Sequence, residues 1–155
     1  MVAVVAIITL PATLAWNFRA EGRQGEARRA AVSMENYDKL KDAVEPWVGV
    51  AMDVFDTAEA VSLRTGRWPR TKEMGMHRPV YHARIKVENL HHGMRDRTLR
   101  KLLKALRTDI AEVCNATSFT EANRASGRMM TDWGRVNERI GELKDSAQKQ
   151  LQMIG

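Results

Sequence analysis

Beyond residue 36 the apolar side chains return every third or fourth position, the spacing of helices that bury one face. The first run is Tyr37, Leu40, Val44, Trp47, Ala51, Val54, Ala58 and Val61, alternating steps of three and four as in the seam of a packed heptad helix. Val48 and Phe55 widen it toward the stripe of a globular bundle. Pro46 falls inside the run without shifting its phase, so a kink or a fresh helix start is expected there. Gly66 is a natural stop. Residues 66–79 (GRWPRTKEMGMHRP) hold two Pro and two Gly and are expected to loop, with Trp68, Met74 and Met76 folding back onto the helices.

The second run begins Val80, Ala83, Val87, Leu90, Met94 and resumes two residues out of register as Leu99, Leu103, Leu106, Ile110, Val113. Holding the first phase would put Arg97, Lys101 and Lys104 in the core, so a break is expected near Gly93–Thr98, with Asp96 or Thr98 capping the restart. Ser118-Phe119-Thr120-Glu121 matches a capping box and announces a third helix. Its seam is Ala122, Ser126, Met129, Trp133, Val136, Ile140, Leu143, Ala147, Gln150, Ile154, with Ser126 and Gln150 the polar exceptions. Matched lengths and a short turn near Ala116–Thr117 favour antiparallel packing. The expected fold is all-α, an antiparallel, coiled-coil-like three-helix bundle over residues 33–155 with its second helix split.

The front of the chain follows another pattern. Met1–Phe18 (MVAVVAIITLPATLAWNF) carries no charged side chain, and Val2–Phe18 as a helix, roughly 26 Å, is at the lower limit for a bilayer core. Trp16 suits an interfacial aromatic belt, with Arg19 and Arg23 at the headgroups. Arg19, Arg23, Arg28 and Arg29 all follow the segment, which by the positive-inside rule puts the N-terminus outside and the rest in the cytoplasm. A cleaved signal peptide would want a basic start that is absent here, and a buried N-terminal helix is the remaining competitor. The expectation is therefore a transmembrane anchor (1–18) in the inner or plasma membrane, a polar Gly22- and Gly25-containing stem (19–32) acting as hinge or frayed helix, and the bundle.

Charge is polarised along the bundle. Residues 34–63 hold seven acidic and two basic side chains, whereas residues 64–107 hold thirteen basic and three acidic ones. The simplest consequence is pairing of an acidic first helix with a basic second one, with positive charge left over. The densest basic stretch is Arg95–Arg107, where Arg97, Arg100, Lys101, Lys104 and Arg107 oppose Leu99, Leu103 and Leu106. Such a face suits an anionic surface, either a lipid bilayer or an acidic partner. No RNA- or DNA-binding motif accompanies it, which disfavours nucleic acid.

Little else carries chemistry. There is no Gly-rich phosphate loop, nucleophile elbow or H-E-x-x-H helix, and one cysteine excludes an internal disulfide. Glu88, His91 and His92 give one Glu-x-x-His arm of a carboxylate di-iron site, but the second arm is missing, so no metal or other cofactor is expected. His77 and His82 are spaced off one helical face. Cys114 reads as a small buried hydrophobe, and Trp47 and Trp133, on seam positions, read as core. Asn115-Ala116-Thr117 matches a glycosylation acceptor, discounted for a cytoplasmic face.

An uncharged leader, an Arg-rich stem (Arg19, Arg23, Arg28, Arg29) and a helical tail together resemble small actinobacterial or phage single-pass membrane proteins with a helical cytoplasmic region. The resemblance covers the whole chain in architecture, implies a membrane location and carries over no functional residue. The expectation is a membrane-anchored scaffold or interaction protein without catalytic activity, meeting a protein partner or a second copy through its helical seams. Its competitors are a soluble regulatory or nucleic-acid-binding helical protein using residues 95–107, and a metal-dependent bundle enzyme around Glu88 and His91.

Overall fold

The structure, a computed structural model, describes the backbone of residues 3–154 and the side chains of residues 19–154. Among the described residues there are four helices and no strand: α1 (Ala3–Thr65), α2 (His77–His91), α3 (Arg97–Asn115) and α4 (Phe119–Ile154). They fall into two compact units, one of residues 36–142 and one of residues 1–35 with 143–155.

In the larger unit the expected seams form the core. Leu40, Val44, Trp47, Val48, Ala51, Val54, Phe55 and Ala58 of α1 are buried, as are Leu99, Leu103, Leu106, Ile110 and Val113 of α3 and Ala122, Met129, Val136 and Ile140 of α4. Cross-contacts fix the directions. Arg107 of α3 reaches back to Glu88 of α2 at 3.0 Å, which two consecutive halves of one straight helix could not do across roughly 28 Å of rise. The expected break is thus a full reversal, and α2 and α3 form an antiparallel hairpin. Arg128 and Arg139 of α4 meet Asp109 at 3.3 Å and Asp96 at 2.8 Å respectively, so α4 runs antiparallel to α3. Phe55, Trp68 and Phe119 cluster with ring centroids 5.9–6.1 Å apart, and Tyr37 feels the charges of Asp96 and Arg139. These contacts set α1 antiparallel to α4. Residues 36–142 therefore form an up-down-up-down arrangement of four helical segments, where the seam pattern predicts three helices.

Local chemistry explains the turns. Gly66 and Gly75 adopt φ of +70° and +71°, which lets the loop leave α1 and turn into α2 without the Cβ clash of an L-residue. α2 begins at His77, three residues earlier than the seam suggests, with Pro79 in its first turn where no amide hydrogen bond is required. Asp96 caps α3 by accepting from the Leu99 amide at 2.7 Å. At α4, Ser118 Oγ accepts from the Glu121 amide, while Glu121 reaches one residue further out than a standard box, accepting from the Thr117 amide and hydroxyl at 2.9 Å.

The front of the chain departs from expectation. α1 continues without interruption from Ala3 through Pro46 to Thr65, so residues 19–32 lie within a helix. Among the described residues no helix is long and apolar enough to cross a membrane, which overturns the single-pass anchor, the membrane location and the topology that followed from them. Physically, the chain after residue 18 is no loose tether. It carries Arg19, Glu21, Arg23, Glu26, Arg28 and Arg29 along the same helix. The side chains of residues 1–18, Trp16 included, lie outside the described residues. In the smaller unit the buried apolar positions are Ala30 and Ala147, with Leu143, Leu151 and Ile154 half-buried.

Candidate functional site

The five basic residues singled out in the sequence come together. Arg97, Arg100, Lys101, Lys104 and Arg107 recur at three- and four-residue steps on the outer face of α3, because Leu99, Leu103 and Leu106 take its inner face. The antiparallel return of α2 lays Val87, Glu88 and His91 beside them. Together with Trp47 of α1 beneath, these residues line a cavity of about 430 Å³, within the size range of ligand pockets. Its floor is apolar, formed by Trp47, Val87 and Leu103, which are 2%, 3% and 3% exposed. Its rim is cationic.

Glu88 is the one carboxylate lining this groove, and it is committed. It accepts from Arg84 Nε at 2.8 Å and forms an ion pair with Arg107 Nη1 at 3.0 Å. The Arg84 hydrogen bond, above all, holds its carboxyl below the usual range. No carboxylate lies within 4 Å of Arg97, Arg100, Lys101 or Lys104 among the described residues. The N-terminus of α3 adds the positive end of its helix dipole next to Arg97 and Arg100. Among the described residues no ion pair joins the acids of the first helix to this basic face. Among the described residues the inter-helix ion pairs instead join Arg107 of α3 to Glu88 of α2, and arginines of α4 to acids of α3 and its cap, Arg128 to Asp109 and Glu112 and Arg139 to Asp96.

Two polar atoms at the groove are orphaned. Trp47 Nε1 and His91 Nε2 are buried without a hydrogen-bond partner, each at the cost of about 1–3 kcal/mol that an unmade buried hydrogen bond carries. Burial, then the neighbouring His92 and Arg100 charges, pushes the His91 imidazole below its ordinary value, so it does not add to the cationic rim near neutral pH. Sequence reasoning assigns Trp47 to the core and treats His91 as part of an incomplete Glu-x-x-His arm. Neither the fold-back of α2 nor the shared cavity is visible in their spacing.

The other singled-out residues do not join this site. Arg19 and Arg23 lie on α1 in the other compact unit. Among the described residues no three His, Cys, Asp or Glu side chains come together to hold a metal ion, and the Glu88–His91 pair stands alone. Cys114 is half-buried and its thiol is pushed up to about 11 by burial, which leaves it a poor nucleophile. It lines a second cavity of about 530 Å³ with Arg70, Lys72, His77, Tyr81 and Arg84, another basic recess that the sequence did not suggest. Trp133 is half-buried.

The main groove can therefore hold an oxyanion or carboxylate at its rim and an apolar group on its floor. Its lining carries no hydroxyl or thiol, and its one carboxylate is held by two arginines. Compared with models of protein families, with curated proteins and with solved structures, the chain matches none.

Proposed function

We propose that this chain is a non-catalytic helical interaction module that binds an acidic segment of a protein partner in the α2–α3 groove. The observation that carries the reading is the rim of Arg97, Arg100, Lys101 and Lys104, four cations with no carboxylate partner among the described residues, beside an apolar recess. Like charges held this close repel one another, and a polyanionic partner relieves that repulsion while releasing the ordered water of the floor. Two features favour a polypeptide over nucleic acid. The cationic run is short, about 15 Å along α3, and Trp47 lies flush beneath the recess at 2% exposure, where it offers no stacking face.

The test is a titration of the full chain with oligoglutamate and, separately, with an oligonucleotide of equal charge. Oligoglutamate is expected to bind at low salt, to weaken steeply as salt rises, and to lose at least about tenfold in affinity, roughly 1.4 kcal/mol, on Arg100→Glu with Lys104→Glu. Preferential binding of the oligonucleotide, or oligoglutamate binding that ignores both substitutions, refutes the reading.

A further inference from the structure

The chain itself carries a surface of complementary chemistry. Residues 42–63 of α1 contain five carboxylates and no Lys or Arg. The inner face of α1 is taken by Leu40, Val44, Trp47, Ala51, Val54 and Ala58, all 2% exposed or less. The helical period then places Asp42, Glu45, Asp53 and Asp56 on the opposite, outward face, where they are exposed, with Glu59 half-buried beside them. No cation lies within 4 Å of these five carboxylates among the described residues. The stripe ends at Leu63, which at 83% exposure is the most exposed large hydrophobic residue described.

An acidic stripe closed by a bare leucine is the counterpart of a basic rim around an apolar recess. Within one copy the two cannot meet, because the stripe points away from the core that carries the groove floor. We infer that the acidic segment taken by the groove is the outer face of α1, residues 42–63, of a second copy of this chain, with Asp53, Asp56 and Glu59 against Arg100, Lys101 and Lys104 and Leu63 seated in the recess. The inference rests on the reading of the groove as a site for acidic polypeptide. The two surfaces differ, so the contact is heterologous: it closes as a ring or a reciprocal pair, or it propagates. An apolar anchor inside a charged rim is the arrangement from which interfaces draw most of their affinity and their specificity respectively.

The experiment is light scattering after gel filtration, with sedimentation velocity, on the full chain across a concentration series in low and in half-molar salt. Mass is expected to rise with concentration at low salt and to fall to that of the monomer in half-molar salt. Arg100→Glu with Lys104→Glu reverses the groove, and Asp53→Lys with Asp56→Lys reverses the stripe. All four positions are exposed, and circular dichroism verifies unchanged helix content. Each double variant alone is expected to be monomeric, whereas an equimolar mixture of the two re-associates, because one supplies a native stripe and the other a native groove. A chain that stays monomeric at every concentration overturns the inference, as does an oligomer that both reversals leave intact or a mixture that stays dissociated. Parallel titration with oligoglutamate separates the two levels. A groove that binds oligoglutamate in a monomeric chain removes the second copy alone, and a groove that binds neither removes both readings.

Discussion

Asp96 holds the reversal that builds the groove, and its removal can be quantified. Its carboxylate accepts the Leu99 amide as the cap of α3 at 2.7 Å and takes Arg139 of α4 through two contacts at 2.8 and 3.2 Å. The Asp96 and Arg139 side chains are 17% and 29% exposed, so water screens the pair only in part. A lost cap costs about 1 kcal/mol, and a lost charged hydrogen-bonded pair about 1.5–3 kcal/mol. Asp96→Ala removes both and should lower stability by roughly 3 kcal/mol. Asp96→Asn keeps the cap, since Asn caps as well as Asp, and should lose only roughly 2 kcal/mol. For a chain of this size roughly 3 kcal/mol corresponds to a Tm lower by about 6–12 °C. The same contacts hold the Asp96 carboxyl below its ordinary 3.8, the Arg139 hydrogen bond contributing most. A depressed carboxylate stabilises fully above 3.8, and that stability fades as pH falls through the lowered folded value. Urea denaturation followed by circular dichroism, from neutral pH down through this window, measures both effects. Equal stability of Asp96→Asn and the parent at neutral pH, or a difference that persists unchanged below the window, would refute the argument.

Other outcomes follow from the same geometry. Asp109 is 6% exposed, and burial, with Asp132 next to it, raises its carboxyl pKa, so its ionisation opposes folding as pH climbs through the raised value. Asp109→Asn is therefore expected to gain stability relative to the parent at neutral pH and to lose that advantage below the ordinary 3.8, as read from thermal melts across pH. Leu106→Ala, at a position 0% exposed between the groove-bearing face of α3 and the core, should cost about 2–5 kcal/mol in the same denaturation assay. Cys114, with its thiol near 11, should resist iodoacetamide at neutral pH in the folded chain and react quickly in denaturant, as followed by mass spectrometry.

The seams were legible because burial repeats with the helical period and periodicity survives in one sequence. Leu40 to Ala58, Leu99 to Val113 and Ala122 to Ile140 read from spacing alone as the positions that are buried, Trp133 excepted, which is half-buried. Asp96 was legible as a cap for the same local reason. Direction was not. A two-residue slip between Met94 and Leu99 marks a break but contains no information on whether the next helix continues or returns. That answer resides in pairs far apart in sequence, Glu88 with Arg107 and Asp96 with Arg139. The front of the chain misled for a related reason. An uncharged run and trailing arginines are local signals, whereas the unbroken course of α1 to Thr65 is not written in the first eighteen residues. The basic cluster itself was legible, but its floor was not, because Trp47 and Val87 reach it only through the fold.

Charge arithmetic along the chain suggested a basic helix neutralised by its acidic neighbour, and the geometry shows why that fails. Helices share a core through their apolar stripes, so charged stripes on the same helices are turned outward and apart. The cations of α3 are then neighbours of one another. Arg97 with Lys101 and Arg100 with Lys104 are like-charged pairs four residues apart, each destabilising by a few tenths of a kcal/mol, about 0.2–0.5. If the cluster served the fold, neutralising it would cost stability. If it serves a partner, Lys101→Gln and Lys104→Gln should leave stability unchanged or raise it by a few tenths of a kcal/mol per pair removed while weakening oligoglutamate binding. Denaturation and titration on the same two samples decide between these roles. A joint loss of stability and binding would show that the cations are held by the fold for its own sake, and the groove would lose its claim to be a site.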